Sequence, residues 1–170
     1  MKTPILCCLI FCLIVAARAD VTGDDGRLAT LKALAFTKAT SASIAKIGAP
    51  KGDELSNFHG CILRSRWKKL SASSRDELGA LLRNPIDEEI IRISKTSPGE
   101  EVLTHMDPMG FGYGDYGVRL ETDAGVREFS ICLAHGGDGY IYVYDLKKHG
   151  LGVNPSHEVI LKLENFDPSK

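Results

Sequence analysis

The sequence predicts an α+β fold in which an antiparallel sheet of about four to six strands packs against one main helix. Three runs within residues 117–145 alternate between apolar and polar positions and are joined by two glycine-containing turns. This pattern is typical of a β-meander with one face on a core. Residues 74–83 combine a capping-box pattern with leucines at helical spacing, which indicates the helix that covers that face.

Three further elements are predicted before the main helix. Leucines at helical spacing favour a short helix, or alternatively a mobile lead-in, over residues 28–36. Small and β-branched residues predict a strand over 39–47, which the glycines and proline of 48–53 terminate. A third alternating run, within 59–70, predicts another strand that ends near Trp67.

The ends of the main helix and the last element are predicted from single residues. Ser74 and Glu77 form the capping-box pair, and Ser71 is an equally good cap one turn earlier. Asn84–Pro85 is expected to end the helix, because proline lacks a backbone N–H and clashes with the preceding turn. Apolar alternation over 159–163 suggests a final strand, with a short helix as the alternative.

The first 19 residues have the three-part layout of a secretory signal peptide. Lys2 precedes an uncharged apolar run over 4–17, and Ala17, Arg18 and Ala19 form a small-x-small cleavage site. The run is shorter than the roughly 20 residues that a spanning helix needs, so cleavage leaves no membrane span. We therefore expect an exported protein, periplasmic or extracellular, with an uncleaved anchor as the alternative.

Length and charge fit one small domain behind this leader. We expect a lead-in over 20–38, a single α+β domain over 39–166 and a tail over 167–170. Removing Lys2 and Arg18 with the leader takes the basic residues from 21 to 19 against 22 acidic ones, a net charge of −3. A chain of this charge is not expected to bind nucleic acid.

Two cysteines, Cys61 and Cys132, remain after cleavage and carry the first candidate chemistry. A small even number of cysteines in an exported chain favours a disulfide between them. Alternatively, Cys132 and His135 at C-x-x-H spacing, together with His105, offer thiolate and imidazole ligands for zinc. Cys61 or Asp107 would supply the fourth ligand, and free thiols are the third alternative.

Aromatic side chains mark two candidate recognition surfaces. The glycine-rich segment 105–117 is interpreted either as a recognition loop or as a structural crossover into the sheet. The tyrosines of the third meander strand share one face, where they either contact a partner or pack against the rest of the protein. The candidates are Phe111, Tyr113 and Tyr116 in the loop and Tyr140, Tyr142 and Tyr144 in the strand.

Three stretches covering about half of the mature chain resemble a group of small exported bacterial proteins with no assigned function. They are FHG and IL at 58–63, RDELGALLRNP at 75–85, and YGVRLETDAGVREFSICLAH at 116–135. The resemblance implies the order strand, capped helix and meander, and no activity. The group often carries a cysteine before the meander and a C-x-x-C pair after its second strand. Here His105 stands near the first position and His135 replaces the last cysteine, so the resemblance implies no shared redox or metal role.

The sequence carries no motif that identifies an enzyme. It contains neither a G-x-S-x-G turn nor an H-E-x-x-H helix. We therefore expect a small non-catalytic exported domain that binds a protein or a cell-envelope component, without a cofactor. One alternative is a metal-binding or thiol-based module that uses Cys132, His135 and His105. Another is a small hydrolase that uses His105, Asp107 and Asp115.

Overall fold

An open antiparallel sheet lies at the centre of the fold, which confirms the predicted α+β class. The computed structural model describes residues 24–96, 114–133, 139–147 and 150–170. The helices are α1 (Asp24–Leu34), α2 (Ala72–Ser94) and α3 (His157–Leu163), the last followed by a 3-10 turn (Glu164–Phe166). The strands are β1 (Ala39–Gly48), β2 (Ile62–Leu63), β3 (Lys68–Lys69), β4 (Tyr116–Thr122), β5 (Gly125–Cys132), β6 (Tyr140–Asp145) and β7 (Gly150–Val153).

The sheet has the order β2-β1-β4-β5-β6-β7, and β3 also pairs with β1. Strands β4 to β7 are consecutive and antiparallel, so the predicted meander is present and extends by one strand to Val153. Strand β1 runs beside the meander, from Ala39 opposite Thr122 to Lys46 opposite Tyr116. The chain therefore builds most of its sheet from neighbours in sequence.

All three helices contribute to a core on one face of the sheet, which we call the inner face. Burial of these apolar side chains supplies the main driving force for folding. The core residues are Leu31, Leu34, Leu78, Leu82, Ile86, Ile160 and Leu163 from the helices, and Val118, Leu120, Phe129, Ile131, Ile141 and Val143 from the strands. None of the helices in the described ranges has the length and apolarity needed to cross a bilayer.

Helix α2 is longer than predicted at both ends. The Ser71 hydroxyl caps it by accepting from the backbone N–H of Ser74 at 3.2 Å. The expected stop at Pro85 is wrong, because the helix continues to Ser94. Proline removes one backbone hydrogen bond, but the apolar stripe continues beyond it and buries Ile93 in the core.

The C-terminal segment forms a helix where a strand was the first expectation. Residues 157–163 are α3, and the Ser156 hydroxyl caps it by accepting from the N–H of Val159 at 3.4 Å. Ile160 and Leu163, three residues apart, are both buried, which is helical spacing. The last strand is instead β7, whose sequence Gly-Leu-Gly-Val has no polar side chain and therefore lacks the apolar–polar alternation typical of a strand.

The strand predicted over 59–70 is reduced to the two short strands β2 and β3, both paired with β1. Between them the backbone follows β1 without a regular ladder. Arg64 donates its N–H to the carbonyl of Lys46 at 2.7 Å, and the N–H of Lys46 donates to the Ser65 hydroxyl at 2.9 Å. The segment therefore covers the edge of β1 that does not pair with β4. If that edge were exposed, its free backbone groups could pair with another chain.

Candidate functional site

The face of the sheet opposite the helices, the outer face, gathers most of the chemically interesting side chains. Alternation along β5 places Glu128, Ser130 and Cys132 on it, and these lie opposite Tyr144, Tyr142 and Tyr140 of β6. The corner formed by residues 58–61 packs onto the same face, since the Phe58 ring lies against Gly117 of β4. A Cβ atom at Gly117 would stand 2.8 Å from that ring, so glycine admits the corner.

Five rings lie in a row across this face, and we call them the aromatic strip. In order along the row they are Trp67, Phe58, His59, Tyr144 and Tyr142. Successive ring centroids are 5.5, 4.9, 3.7 and 6.1 Å apart. The middle of the strip is closed from solvent, with Phe58 4% exposed and the His59 side chain 6% exposed. Trp67, Tyr142 and Tyr144 are half-buried.

The tyrosine end of the strip depends on two glycines in the edge strand. Gly150 and Gly152 of β7 pair with Tyr144 and Tyr142. A Cβ atom at Gly150 would overlap the Tyr144 ring, and one at Gly152 would stand 3.1 Å from the Tyr142 ring. The tyrosines therefore lean over backbone that carries no side chain, which fixes where their rings lie.

A hydrogen-bonded network of His59, Glu128 and Arg119 accompanies the strip. The His59 Nε2 atom is 2.7 Å from Oε2 of Glu128, and the Arg119 Nε atom donates to Oε1 of the same carboxylate at 2.8 Å. Hydrogen bonds from His59 and Arg119 hold the pKa of Glu128 below its ordinary value, although burial opposes the shift. The Arg119 guanidinium also lies over the Trp67 ring, 4.8 Å from its centroid, so the network connects His59 in the middle of the strip to Trp67 at one end.

His59 reaches this position through an uncommon backbone conformation. Its φ is +44°, and within the described ranges it is the one residue other than glycine with a positive φ. Gly60 follows with φ +83°, so two left-handed residues turn the chain sharply before β2. Such a conformation persists only where surrounding contacts hold it, and here the His59 ring contacts Phe58, Tyr144 and Glu128.

The two candidate cysteines both belong to the outer face and are free thiols in this structure. Cys61 is buried beside Ile47 and Phe58, and Cys132 is half-buried. Burial raises the pKa of both thiols above the ordinary value. At neutral pH both are therefore protonated, unlike the thiolates that act as nucleophiles.

The zinc ligands suggested by the sequence are only partly within the described residues. His105, His135 and Asp107 lie outside them, so the proposed zinc site stays a prediction. Among the residues that the structure describes, no three His, Cys, Asp or Glu side chains come together as a metal-binding group.

The candidate recognition loop is also only partly described, since Phe111 and Tyr113 lie outside the described ranges. Tyr116 is not part of an exposed surface, because its ring is fully buried and its hydroxyl donates to the Leu163 carbonyl at 2.8 Å. Asp115, a candidate for hydrolysis, accepts from the N–H of Leu133 at 2.6 Å and so braces the end of β5.

A separate cleft of about 360 Å³ lies beside the middle of β1, next to β3, the start of α2 and residues 165–170. Lys68 and Lys170 line it together with Glu77 and Asp167. Because both signs of charge are present, the lining does not select a ligand of one charge.

No known family model, curated protein or solved structure matches this chain. Its function is therefore inferred from the outer face. The strip includes tyrosines that the sequence had singled out, but His59, Glu128 and Arg119 were not among the predicted site residues. The spacing of Gly150 and Gly152, which matches that of the two tyrosines they pair with, could have indicated where the tyrosine rings lie, but no sequence pattern marks His59, Glu128 or Arg119.

Proposed function

We propose that the protein is a non-catalytic exported domain that binds a partner protein outside the cytoplasm or in the cell envelope through its outer face. The observation that carries the proposal is the composition of the half-exposed part of that face. It presents Arg119 over Trp67 at one end of the strip and Tyr144 beside Tyr142 at the other. Tryptophan, tyrosine and arginine are the residues that most often dominate the binding energy of protein interfaces.

The fixed positions of these side chains support the same proposal. Tyr144 is held between the His59 and Tyr142 rings, and Arg119 is held by the Glu128 carboxylate. Side chains that are already fixed lose less conformational entropy on association, so more of their contact energy appears as affinity. The Arg119 side chain is still 46% exposed and can contact a partner.

The acid–base groups of this face, His59 and Glu128, are engaged with one another. The His59 imidazole and the Glu128 carboxylate are hydrogen-bonded and buried, with side-chain exposures of 6% and 9%. An imidazole closed off in this way is better placed to hold the corner at 58–61 than to exchange protons with a substrate. This arrangement favours a binding role over a hydrolytic one.

The test compares retention of envelope and secreted proteins by purified wild-type protein and by two groups of variants. Tyr142→Ala and Trp67→Ala each remove an anchor from the half-exposed ends of the strip. Leu161→Ala is the matched control, because Leu161 is 50% exposed and lies on α3 on the opposite side of the sheet. Melting temperatures establish that each variant is folded.

We expect at least one protein to be retained by the wild type and by Leu161→Ala but lost with the strip variants. Its purified form should bind the strip variants at least tenfold more weakly, since anchors of this kind contribute about 1.4 kcal/mol or more. Equal retention by all variants, or retention lost only in Leu161→Ala, would place the binding surface elsewhere and overturn the proposal.

A further inference from the structure

The two cysteines of the outer face are 71 positions apart in sequence but are brought together by the corner at 58–61. This corner is closed by reciprocal backbone hydrogen bonds, from Phe58 N–H to the Cys61 carbonyl at 3.0 Å and from Cys61 N–H to the Phe58 carbonyl at 2.8 Å. Because the Phe58 ring is seated on Gly117, the corner places Cys61 on the outer face beside Ile47 of β1.

Ser130 of β5 marks the point where Cys61 meets the sheet. The Ile47 side chain, which packs with Cys61, and the Ser130 hydroxyl both lie where a Cβ atom at Gly114 would stand. The Ser130 hydroxyl is also close enough to lower the pKa of the Cys61 thiol, against the larger effect of burial. Ser130 is paired with Gly117, the residue beneath Phe58, so this contact agrees with the seating of the corner.

Cys132 lies two residues beyond Ser130 on the same strand and the same face. Successive residues of a strand are about 3.3 Å apart, so the Cα atoms of Ser130 and Cys132 are separated by about 7 Å. A sulfur held against Ser130 is therefore within side-chain reach of Cys132.

We propose that Cys61 and Cys132 form a disulfide when the protein meets a disulfide oxidant. The half-exposed Cys132 thiol first loses its proton, and the thiolate attacks one sulfur of the oxidant, which forms a mixed disulfide and releases a thiolate that takes up a proton. The Cys61 thiol then loses its proton in turn, attacks the Cys132 sulfur and expels the second thiolate, which is also protonated. Two protein thiols lose two hydrogens and two electrons, and the oxidant is reduced to two thiols.

The bond ties the corner that carries His59 to the strand that carries Glu128. It closes a loop of about 70 residues, which restricts the unfolded chain more than the folded one. The oxidised protein should therefore melt about 10 °C higher than the reduced protein. This inference concerns the covalent state of the outer face and does not depend on the identity of any binding partner.

The experiment treats the folded, reduced full-length protein with oxidised glutathione, blocks the remaining thiols at low pH and digests with trypsin without reductant. Cleavage after Lys51, Arg64, Arg127 and Lys147 isolates each cysteine on its own peptide. We expect peptides 52–64 and 128–147 to be joined and their combined mass to be about 2 Da below the sum of the two. If only glutathione adducts or unmodified thiols are found on these peptides, the proposal is wrong.

The controls separate a bond guided by the fold from random pairing with Cys7, Cys8 and Cys12. In urea the same treatment should scatter the bonds among all five cysteines, whereas the folded protein should favour one. Reductant should lower the melting temperature of the oxidised wild type by about 10 °C and leave Cys132→Ser unchanged. A melting temperature that does not respond to reductant in the wild type, with the linked peptide present, would contradict the expected stabilisation.

Discussion

The imidazole of His59 lies flat on the ring of Tyr144, with the centroids 3.7 Å apart and the planes 6° from parallel. This contact joins two parts of the chain that no backbone ladder connects, the corner at 58–61 and strand β6. The same imidazole bonds Glu128 of β5. One side chain thus attaches an irregular segment to two strands of the meander, and it does so from a left-handed backbone conformation.

Replacing His59 tests how much this attachment contributes. His59→Ala removes the stacking contact and the hydrogen bond but keeps a Cβ atom at φ +44°. We expect the free energy of unfolding, measured in urea, to fall by about 2 to 3 kcal/mol. His59→Gly loses the same contacts but relieves the backbone strain, so it should be more stable than His59→Ala by about 1 kcal/mol. The opposite order would show that the backbone at this position is not strained.

The pKa of Glu128 predicts a dependence of stability on pH. Hydrogen bonds from His59 and Arg119 lower this pKa in the folded state, so Glu128 stabilises the fold above its ordinary pKa of about 4.5. That contribution is lost as the pH falls through the lower folded pKa. The stability advantage of the wild type over Glu128→Gln should therefore be largest near pH 6 and shrink as the pH falls below about 4.5.

The measurement is the free energy of unfolding in urea from pH 6 to pH 3. Glu121→Gln is the control, since Glu121 is an exposed glutamate on the neighbouring strand β4. The change below pH 4.5 should be larger for Glu128→Gln than for Glu121→Gln. An equal change for the two variants would mean that the Glu128 carboxylate keeps the same pKa on folding.

Local patterns explain which parts of the fold the sequence could predict. The meander is visible in the sequence because strand alternation is a property of a few consecutive residues, as in Val118 and Leu120. The stop at Pro85 failed because burial of the helix beyond it depends on tertiary contacts that outweigh a local helix breaker. Residues 159–163 form so short a span that their apolar positions satisfy both strand and helix spacing. The Ser156 cap favours the helix.

The outer-face site could be predicted only in part, for a related reason. The tyrosines share a strand face, which alternation shows directly. His59 and Glu128 are 69 residues apart, and the corner that joins them has no hydrophobic period to reveal where it packs. Nothing in a single sequence states that a histidine before a glycine will turn left-handed and bury itself on a distant strand.

The hydrogen bond at the start of α2 shows which of two candidate serines, Ser71 or Ser74, caps the helix. The Ser71 hydroxyl accepts from the N–H of Ser74, so Ser71→Ala should lower the free energy of unfolding by about 1 kcal/mol. Ser74→Ala, one turn inside the helix, should cost less. Ser73→Ala is the control, because Ser73 is exposed and alanine has the higher helix propensity. A larger loss for Ser74→Ala, measured by urea unfolding, would place the cap at the capping-box serine instead.

The glycines of β7 set the position of the tyrosine end of the strip, and their two sites should respond differently to alanine. A Cβ atom at Gly150 would overlap the Tyr144 ring and stand 2.9 Å from the Val143 carbonyl oxygen, so both the ring and the backbone must shift. At Gly152 the atoms in the way belong to the far end of the Tyr142 side chain, 3.1 Å away, which can move aside.

We therefore expect Gly150→Ala to lower the free energy of unfolding by about 2 kcal/mol, as overpacking typically does, and Gly152→Ala to cost less than about 1 kcal/mol. Displacing the Tyr144 ring also separates it from the His59 imidazole, so Gly150→Ala should remove most of the further loss caused by His59→Ala. A double-mutant cycle in urea measures this coupling. If the losses from Gly150→Ala and His59→Ala simply add, the glycine does not hold the stacked pair in place.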